Sequence, residues 1–306
     1  MILVTGGLGM IGAHTARALA DLGHDVLVTT HHRAEVPAWL EGRVTVEPLD
    51  VTDRAAFLAL ADRHAVSDIV HLAGSIPGDD PVAFFRHDLA GLLNALDAAR
   101  ARRVRRFAVA SSLGVYLGRP EIPWHEDLAL PAAELPHLII AFKKAVEPLT
   151  LHALQGTGIQ PVVLRIGTIW GPLVDPESPF FHIPSYISAV LRGEQPPRLY
   201  GSDGGDRCYA PDAGRAIALL MTAPTLRYDT YNVSSGVPST NGDFAAALES
   251  AIPGLRLELH PGREHGPGED PYLDITRLTA DTGFTPAFDV RAAVADYVAW
   301  RAANPR

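Results

Sequence analysis

One run constrains this chain more than any other: Thr5-Gly6-Gly7-Leu8-Gly9-Met10-Ile11-Gly12, set between an apolar β-type stretch at 2–4 and a helical stretch at 12–22. Gly7, Gly9 and Gly12 satisfy the spacing G-x-G-x-x-G. Missing side chains at that spacing let the backbone turn sharply and approach a pyrophosphate, and the helix that follows points the positive end of its dipole at the same place. In isolation the spacing is a weak signal. Between a strand and a helix it is a strong one, and it predicts a dinucleotide site.

The rest of the first half keeps the same rhythm. Short β-rich runs at 26–30, 44–49, 69–72, 107–111 and 162–166 alternate with helical stretches at 54–63, 82–100 and 138–154. Such alternation implies right-handed crossovers and a parallel sheet covered on both faces. The expected fold is α/β, a Rossmann doubly wound parallel sheet with a smaller C-terminal lobe. Pro148 falls inside the last of these helices, where its missing amide predicts a kink. After Gly171-Pro172 the pattern loosens, with helices expected at 183–191 and 212–221. A dinucleotide-binding domain is expected over 1–170 and a mainly substrate-binding lobe over 171–306, with some of its segments returning to the first domain.

Composition narrows the setting. The 306 residues carry a formal charge of -9, a poor match for nucleic acid, whose phosphates call for a basic face. The one basic cluster, Arg100 to Arg106, reads as a solvated helix end complementing the helix dipole. The longest apolar runs, at 138–142 and 216–221, fall far short of the roughly 18 residues that cross a bilayer, so no membrane partner is expected. The start Met1-Ile2-Leu3-Val4 lacks the pattern of a secretory leader, and the single Cys208 excludes a disulfide framework, so a cytoplasmic setting is expected. The 13 scattered histidines show no metal-ligand spacing. Of 26 basic residues only the neighbours Lys143 and Lys144 are lysines, the residue type with a compact charge and a tunable pKa.

A carboxylate at the end of the second strand usually holds the ribose hydroxyls of NAD. That place reads Thr29-Thr30-His31-His32-Arg33. Arg33, with His31, suits a 2′-phosphate instead, so NADP is favoured over NAD. Asp50, after the third strand, is placed to accept from the adenine amino group, and Asp53 reads as a helix N-cap.

Further segments carry a resemblance: Leu49-Asp50-Val51-Thr52-Asp53, His71-Leu72-Ala73-Gly74, Val109-Ala110-Ser111-Ser112-Leu113-Gly114-Val115-Tyr116 and Leu164-Arg165-Ile166-Gly167-Thr168-Ile169-Trp170-Gly171-Pro172. With the glycine run, and with Tyr231-Asn232-Val233-Ser234-Ser235-Gly236 and Leu273-Asp274-Ile275-Thr276-Arg277 further on, these resemble the extended short-chain dehydrogenase/reductase superfamily of NAD-dependent epimerases and dehydratases over nearly the whole chain. Thr168 stands where the family has Asn. The resemblance implies cofactor contacts from Gly6, Gly9, Met10, Ile11, Gly12, His31, Arg33, Asp50, Val51, Leu72, Ala73, Gly74, Lys143 and Ile166, and a homodimer through paired helices at 82–100 and 138–154.

In that family a Y-x-x-x-K pair does the acid/base work from one helix face. Glu147 matches the glutamate four residues after the lysine, which makes Lys143 the counterpart and leaves Ile139 at the tyrosine position; Lys144 would leave Ile140. Isoleucine carries no transferable proton, so four readings stand. Tyr116 or His137 has taken over the proton; or substrate or water exchanges it while Ser112 polarises the oxygen. Alternatively the chain binds nucleotide without turnover, or the scaffold performs a non-redox reaction with Ser112 and Lys143. The expected catalytic set is Ser112, Lys143 and Tyr116, acting on a hydroxylated or carbonyl-bearing small molecule such as a nucleotide sugar.

At the substrate end, Gly205-Asp206-Arg207-Cys208-Tyr209-Ala210-Pro211-Asp212 resembles the family's R-D-[FY]-x-x-V-x-D, with Arg207 two residues closer to Asp212 than the pattern places its arginine. Arg207 and Arg263 are candidates for a bidentate phosphate clamp. Ser112, Thr168 and His182 complete the candidate substrate contacts, and Trp170, Phe180, Phe181 and Tyr186 suit an apolar pocket wall.

Overall fold

A computed structural model describes residues 1–31, 35–176, 182–266 and 268–304. The first half runs β1 (Ile2–Thr5), α1 (Met10–Asp21), β2 (Val26–Thr30), β3 (Thr45–Pro48), α2 (Arg54–Arg63), β4 (Asp68–His71), α3 (Pro81–Arg102), β5 (Arg106–Ser112), α4 (Leu138–Leu154) and β6 (Gln160–Ile166). The second runs β7 (Ile169–Trp170), α5 (His182–Leu191), β8 (Gly204–Asp206), β9 (Cys208–Tyr209), α6 (Ala210–Thr222), β10 (Thr230–Val233), β11 (Pro238–Thr240), α7 (Asn241–Ala251), α8 (Thr276–Thr282) and α9 (Val290–Ala303).

Seven strands form one parallel sheet in the order β10-β6-β5-β4-β1-β2-β3. Side chains alternate across it, as strand geometry requires. Ile2, Val4, Val26 and Val28 face a core shared with α1 and α6, while Leu3 and Leu27 face one shared with α2, α3 and α4. After β3 the chain crosses back past β1 to lay β4 on its other side, so strand order reverses between β1 and β4. A crevice outside the carboxyl ends of two such strands is where open α/β sheets bind ligands.

Past residue 170, α6 packs on α1 and β10 extends the sheet beside β6. The β7–β9 and β8–β11 pairs, with α5, α7 and α9, build a lobe around Trp170, Tyr186, Phe244 and Tyr297. Among the described residues no helix is long and apolar enough to cross a membrane.

Asp53 caps α2 as its sequence position implies, its side chain accepting from Ala56 N–H at 3.0 Å. The arginine cluster departs from expectation. Arg106 is buried and donates to the carbonyls of Leu220 and Met221 at 2.8 and 3.2 Å, and Arg105 joins it on Met221. These guanidiniums satisfy the open carbonyl end of α6, over a hundred residues away; Arg106 is enclosed there, while Arg105 stays exposed. α4 continues through Pro148 as one helix.

Candidate active site

The glycine run lies at the strand-order reversal, and each glycine has its own steric reason. A Cβ on Gly7 would lie 2.4 Å from the Val28 Cβ, and one on Gly12 would lie 2.2 Å from the Gly6 carbonyl oxygen. Gly6, at φ +65°, sits with its Cα against Ala73, where a Cβ would reach the Ala73 nitrogen at 3.0 Å. Gly9 differs: it is exposed, and a Cβ there would meet only the Gly6 oxygen, at 3.3 Å. Three glycines therefore serve packing, and the fourth leaves room above the turn. No side chain caps α1, so its first N–H groups at Met10, Ile11 and Gly12 face that room.

The other expected cofactor residues line the same edge. Asp50 and Val51 follow β3, and Leu72, Ala73 and Gly74 follow β4, all partly or fully open to solvent. Hydrogen bonds from the Thr52 hydroxyl and N–H at 2.7 and 2.9 Å hold the Asp50 carboxyl below its usual range. His71, beneath Ala73, pairs with the Thr5 hydroxyl at 2.9 Å; burial lowers its pKa to about 4, so it is neutral. Ile166, at the end of β6, is buried in the core, whereas His31 is exposed at the end of β2. Arg33 lies outside the described residues. An open glycine turn, an uncapped helix start and a partly exposed Asp50 oriented by Thr52 fit a dinucleotide.

Beside the turn, β5 and α4 form a ledge. Lys143 Nζ donates to the Ala110 carbonyl at 2.7 Å, and Ser112, two residues on and so on the same face of β5, accepts from Gly114 N–H at 3.1 Å. Burial is the larger influence on Lys143 and lowers its pKa to about 8, with the Asp88 carboxylate opposing. Lys144 instead donates to the carbonyls of Pro131 and Glu134, so it ties down a surface loop. Ile139 is partly buried against the core one turn before Lys143, and the Ile140 side chain packs against Gly114. Neither position brings a proton donor to the ledge.

Tyr116 requires a correction. Its ring is fully buried, and its hydroxyl donates to Asn232 Oδ1 at 2.9 Å while accepting from Arg165 Nη1 at 2.8 Å. Arg165 grips both oxygens of Glu147 at 3.0 and 2.8 Å, and Glu147 Oε1 accepts from Ser111 Oγ at 2.6 Å. Burial, the largest cause, pushes the Tyr116 pKa up to about 12. The phenol thus belongs to a closed structural network beneath the ledge and has no open path to a reacting atom. His137 is exposed at the N-cap of α4.

The proposed arginine clamp is also corrected. Arg263 is closed on Asp270, with both nitrogens on both oxygens at 2.7 and 2.8 Å, and Arg207 is buried with Nη2 on Asn241 Oδ1 at 2.7 Å. His182 Nε2 approaches that same Asn241 oxygen at 3.3 Å. Thr168 stays partly exposed while its N–H donates to Asp206 at 3.1 Å. Trp170 and Tyr186 are core residues, and Phe180 and Phe181 lie outside the described residues. Sequence reasoning missed Asp88. Its side chain accepts from Ser75 Oγ at 2.6 Å and supplies the carboxylate that opposes the shift in Lys143; inside a uniformly helical stretch no local signal marks it.

This geometry has counterparts among known proteins. The model of the NAD dependent epimerase/dehydratase family matches residues 2–234. The chain belongs to that family. It is an enzyme of the extended short-chain dehydrogenase/reductase type. It is 28% identical over 324 residues to a dTDP-glucose 4,6-dehydratase of Actinoplanes sp., covering 99% of this chain and 98% of the relative. A probable UDP-glucuronate 4-epimerase of Rhizobium meliloti is 26% identical, covering 99% and 97%. The fold is shared with the Thermotoga maritima UDP-glucose 4-epimerase crystallised with UDP-glucose, at a TM-score of 0.82 and 21% identity over 100% of this chain and 99% of that one. It is shared equally with the Bacillus cereus UDP-glucuronic acid 4-epimerase in complex with NAD, at 0.81 and 19% over 100% and 99%.

Proposed function

We propose that this enzyme binds a nicotinamide dinucleotide along the carboxyl ends of β1, β4 and β5 and acts through it on a hydroxyl or carbonyl carbon of a small molecule, with a nucleotide sugar as the favoured substrate class. The observation that carries this reading is the meeting of the open Gly9 turn, the Ala73-Gly74 edge and the Ser112–Lys143 ledge at one strand-order reversal. The nicotinamide, when bound, supplies or accepts the hydride. Lys143, anchored to Ala110, keeps its remaining donors for ribose hydroxyls. Ser112 already accepts from Gly114, so its own proton remains for a substrate oxygen. With isoleucine at 139 and Tyr116 sequestered, the reacting proton passes by way of Ser112 to water or to the substrate itself.

NADP is favoured in this reading because Thr29, Thr30 and His31 bring no carboxylate to the end of β2. Nucleotide sugars are favoured because the relatives named above act on them. A homodimer through α3 and α4 is part of the same reading, since Leu93 and Leu149 stand exposed on those helices.

The test begins by denaturing the purified protein, identifying any released nucleotide by mass spectrometry, and titrating the emptied chain with NAD⁺, NADH, NADP⁺ and NADPH. It continues by following UDP-glucose, UDP-glucuronate and dTDP-glucose for conversion. NADPH binding above the others, with conversion lost in Ser112→Ala while cofactor affinity holds, is expected. Binding of none of the four overturns the reading.

A further inference from the structure

The ledge leans on a carboxylate that belongs to neither of its own elements. Asp88 lies on α3 with its side chain 7% exposed, and both of its oxygens turn toward the segment that follows β4. Oδ1 accepts from Ser75 Oγ at 2.6 Å and from Ser75 N–H at 3.1 Å, and Oδ2 meets the same N–H at 3.3 Å. Oδ2 also lies under Gly74, where an added Cβ would stand 3.4 Å from it. These bonds fix the chain at Ser75, directly after the Leu72-Ala73-Gly74 edge that packs on Gly6 of the glycine turn.

Asp88 is also near the ammonium of the ledge. One turn along α3, a Cβ on Gly91 would meet Val51 Cγ2 at 3.0 Å and His71 Cε1 at 4.0 Å, so the helix closes on β4 at that point. Residues three apart share a helix face, which puts Asp88 and the His71 ring on the same side of α3. Lys143 reaches from α4 to Ala110 on β5, next to the Val109 that pairs with His71. Asp88, His71 and Lys143 therefore gather from α3, β4 and α4 around the carboxyl ends of two neighbouring strands. Burial is the largest influence on both His71 and Lys143, and in both the Asp88 carboxylate opposes it. Other charges around this group are committed elsewhere: His87 pairs with Asp88 from the solvent side at 3.1 Å, and Glu147 and Arg165 are closed on each other beneath the ledge. His71 is neutral, so Asp88 is the counter-charge that Lys143 meets. An ammonium deprived of a nearby anion in a buried site sheds its proton, and with it the charge that strengthens its hydrogen bonds.

We propose that Asp88 is a positioning residue for the dinucleotide: by pinning Ser75 and standing as the counter-charge to Lys143, it holds the cofactor edge and the ammonium in one arrangement. The role rests on the dinucleotide reading given above.

The chain holds two lysines, so protein isotopically labelled at lysine Cε gives two lysine signals by NMR, and Lys143→Met identifies the one from the ledge. Without cofactor, that signal is expected to titrate at about 8 in the parent. Asp88→Asn keeps an acceptor for Ser75 and removes the charge, and is expected to lower the proton affinity of Lys143 about tenfold. Ser75→Ala removes the hydroxyl and keeps the charge, and should leave the Lys143 titration where it was. His87→Gln, introduced into parent and variants alike, takes the outer imidazole out of the comparison. NADPH is then titrated by its own fluorescence at about pH 6 and about pH 7.5. The parent should hold its affinity, whereas Asp88→Asn should lose about threefold at the higher pH, where its Lys143 is largely discharged. Should Asp88→Asn fail to fold, Asp88→Ser, smaller and equally uncharged, is read in the same way. An unmoved Lys143 titration in the uncharged variant, or a parent-like pH dependence of its NADPH affinity, overturns the proposal alone. A parent that binds none of the four dinucleotides removes the function proposed above and this role with it.

Discussion

Two cations reach under the same edge of the sheet and end in opposite states. Arg165, on β6, is enclosed by Glu147, Tyr116 and the Glu126 carbonyl, and its pKa is raised above the ordinary arginine value despite its burial. Lys143, on α4 four residues before Glu147, has a single backbone carbonyl as its hydrogen-bonded anchor and a pKa lowered to about 8. The first region spends four donors on partners inside the protein. The second holds donors in reserve at a price in desolvation. A closed network specifies a fold, whereas an under-satisfied cation beside a hydroxyl and an open glycine turn is prepared for something brought from outside.

The comparison breaks most visibly at Arg165. Arg165→Met leaves the Glu147 carboxylate buried with only Ser111 to meet it, and losing one partner of a buried pair costs about 3–5 kcal/mol. Urea unfolding is expected to show that loss; a variant of wild-type stability would mean the network is not closed. Lys143→Met is expected to act in the opposite sense, through pH. The folded chain releases the Lys143 proton near 8 whereas the unfolded chain keeps it to about 10.5, so between those values the unfolded state binds more protons and stability rises with pH. That rise is at most about 3 kcal/mol; it should be absent from the Lys143→Met curve and so make up the difference between the two stability–pH curves, while dinucleotide affinity falls.

Hydroxyls separate the regions next. Tyr116→Phe strands Asn232 Oδ1 and takes one of two acceptors from Arg165 Nη1, which keeps the Glu126 carbonyl, and should cost about 1–3 kcal/mol of stability with turnover little changed. Ser112→Ala touches one Gly114 N–H at a partly open edge, so its stability should shift by about 0.5 kcal/mol or less while turnover falls by two orders of magnitude or more, about the worth of one preorganised donor. Paired melts and steady-state rates on the two variants decide this. Turnover lost in Tyr116→Phe at full stability would return the phenol to the chemistry.

The nucleotide end was legible because its requirements are local. Gly7 and Gly12 are demanded by close contacts within a few residues or one strand away, and the β/α alternation declares the parallel sheet. Asp53 was readable as a cap for the same reason. Tyr116 was misread because its role depends on Asn232, 116 residues on, and on Arg165, 49 residues on, partners that no spacing announces. In the arginine cluster, Arg100 and Arg102 do lie in the last turn of α3, whereas Arg106 was misread likewise: the carbonyls it serves belong to a helix formed over a hundred residues later. Arg207 was singled out by its motif, yet its direction follows from Asn241 and Phe244, both on α7.

A last substitution tests the ledge from its empty side. Ile139 packs only partly into the core, one turn before Lys143, so Ile139→Tyr should fold with a change below about 1.5 kcal/mol. Residues four apart share a helix face, which brings the new phenol beside the Lys143 ammonium. A neighbouring positive charge favours the phenolate, so the new tyrosine should titrate below the ordinary value of about 10, visible by ultraviolet difference absorbance against the parent. Its rate profile should then rise at lower pH than that of the parent, because the ledge would hold a proton carrier of its own. A phenol titrating at its ordinary value would mean that Lys143 does not face position 139; a shifted phenol without any change in turnover would mean that Ser112 and solvent already move the proton as fast as the reaction requires.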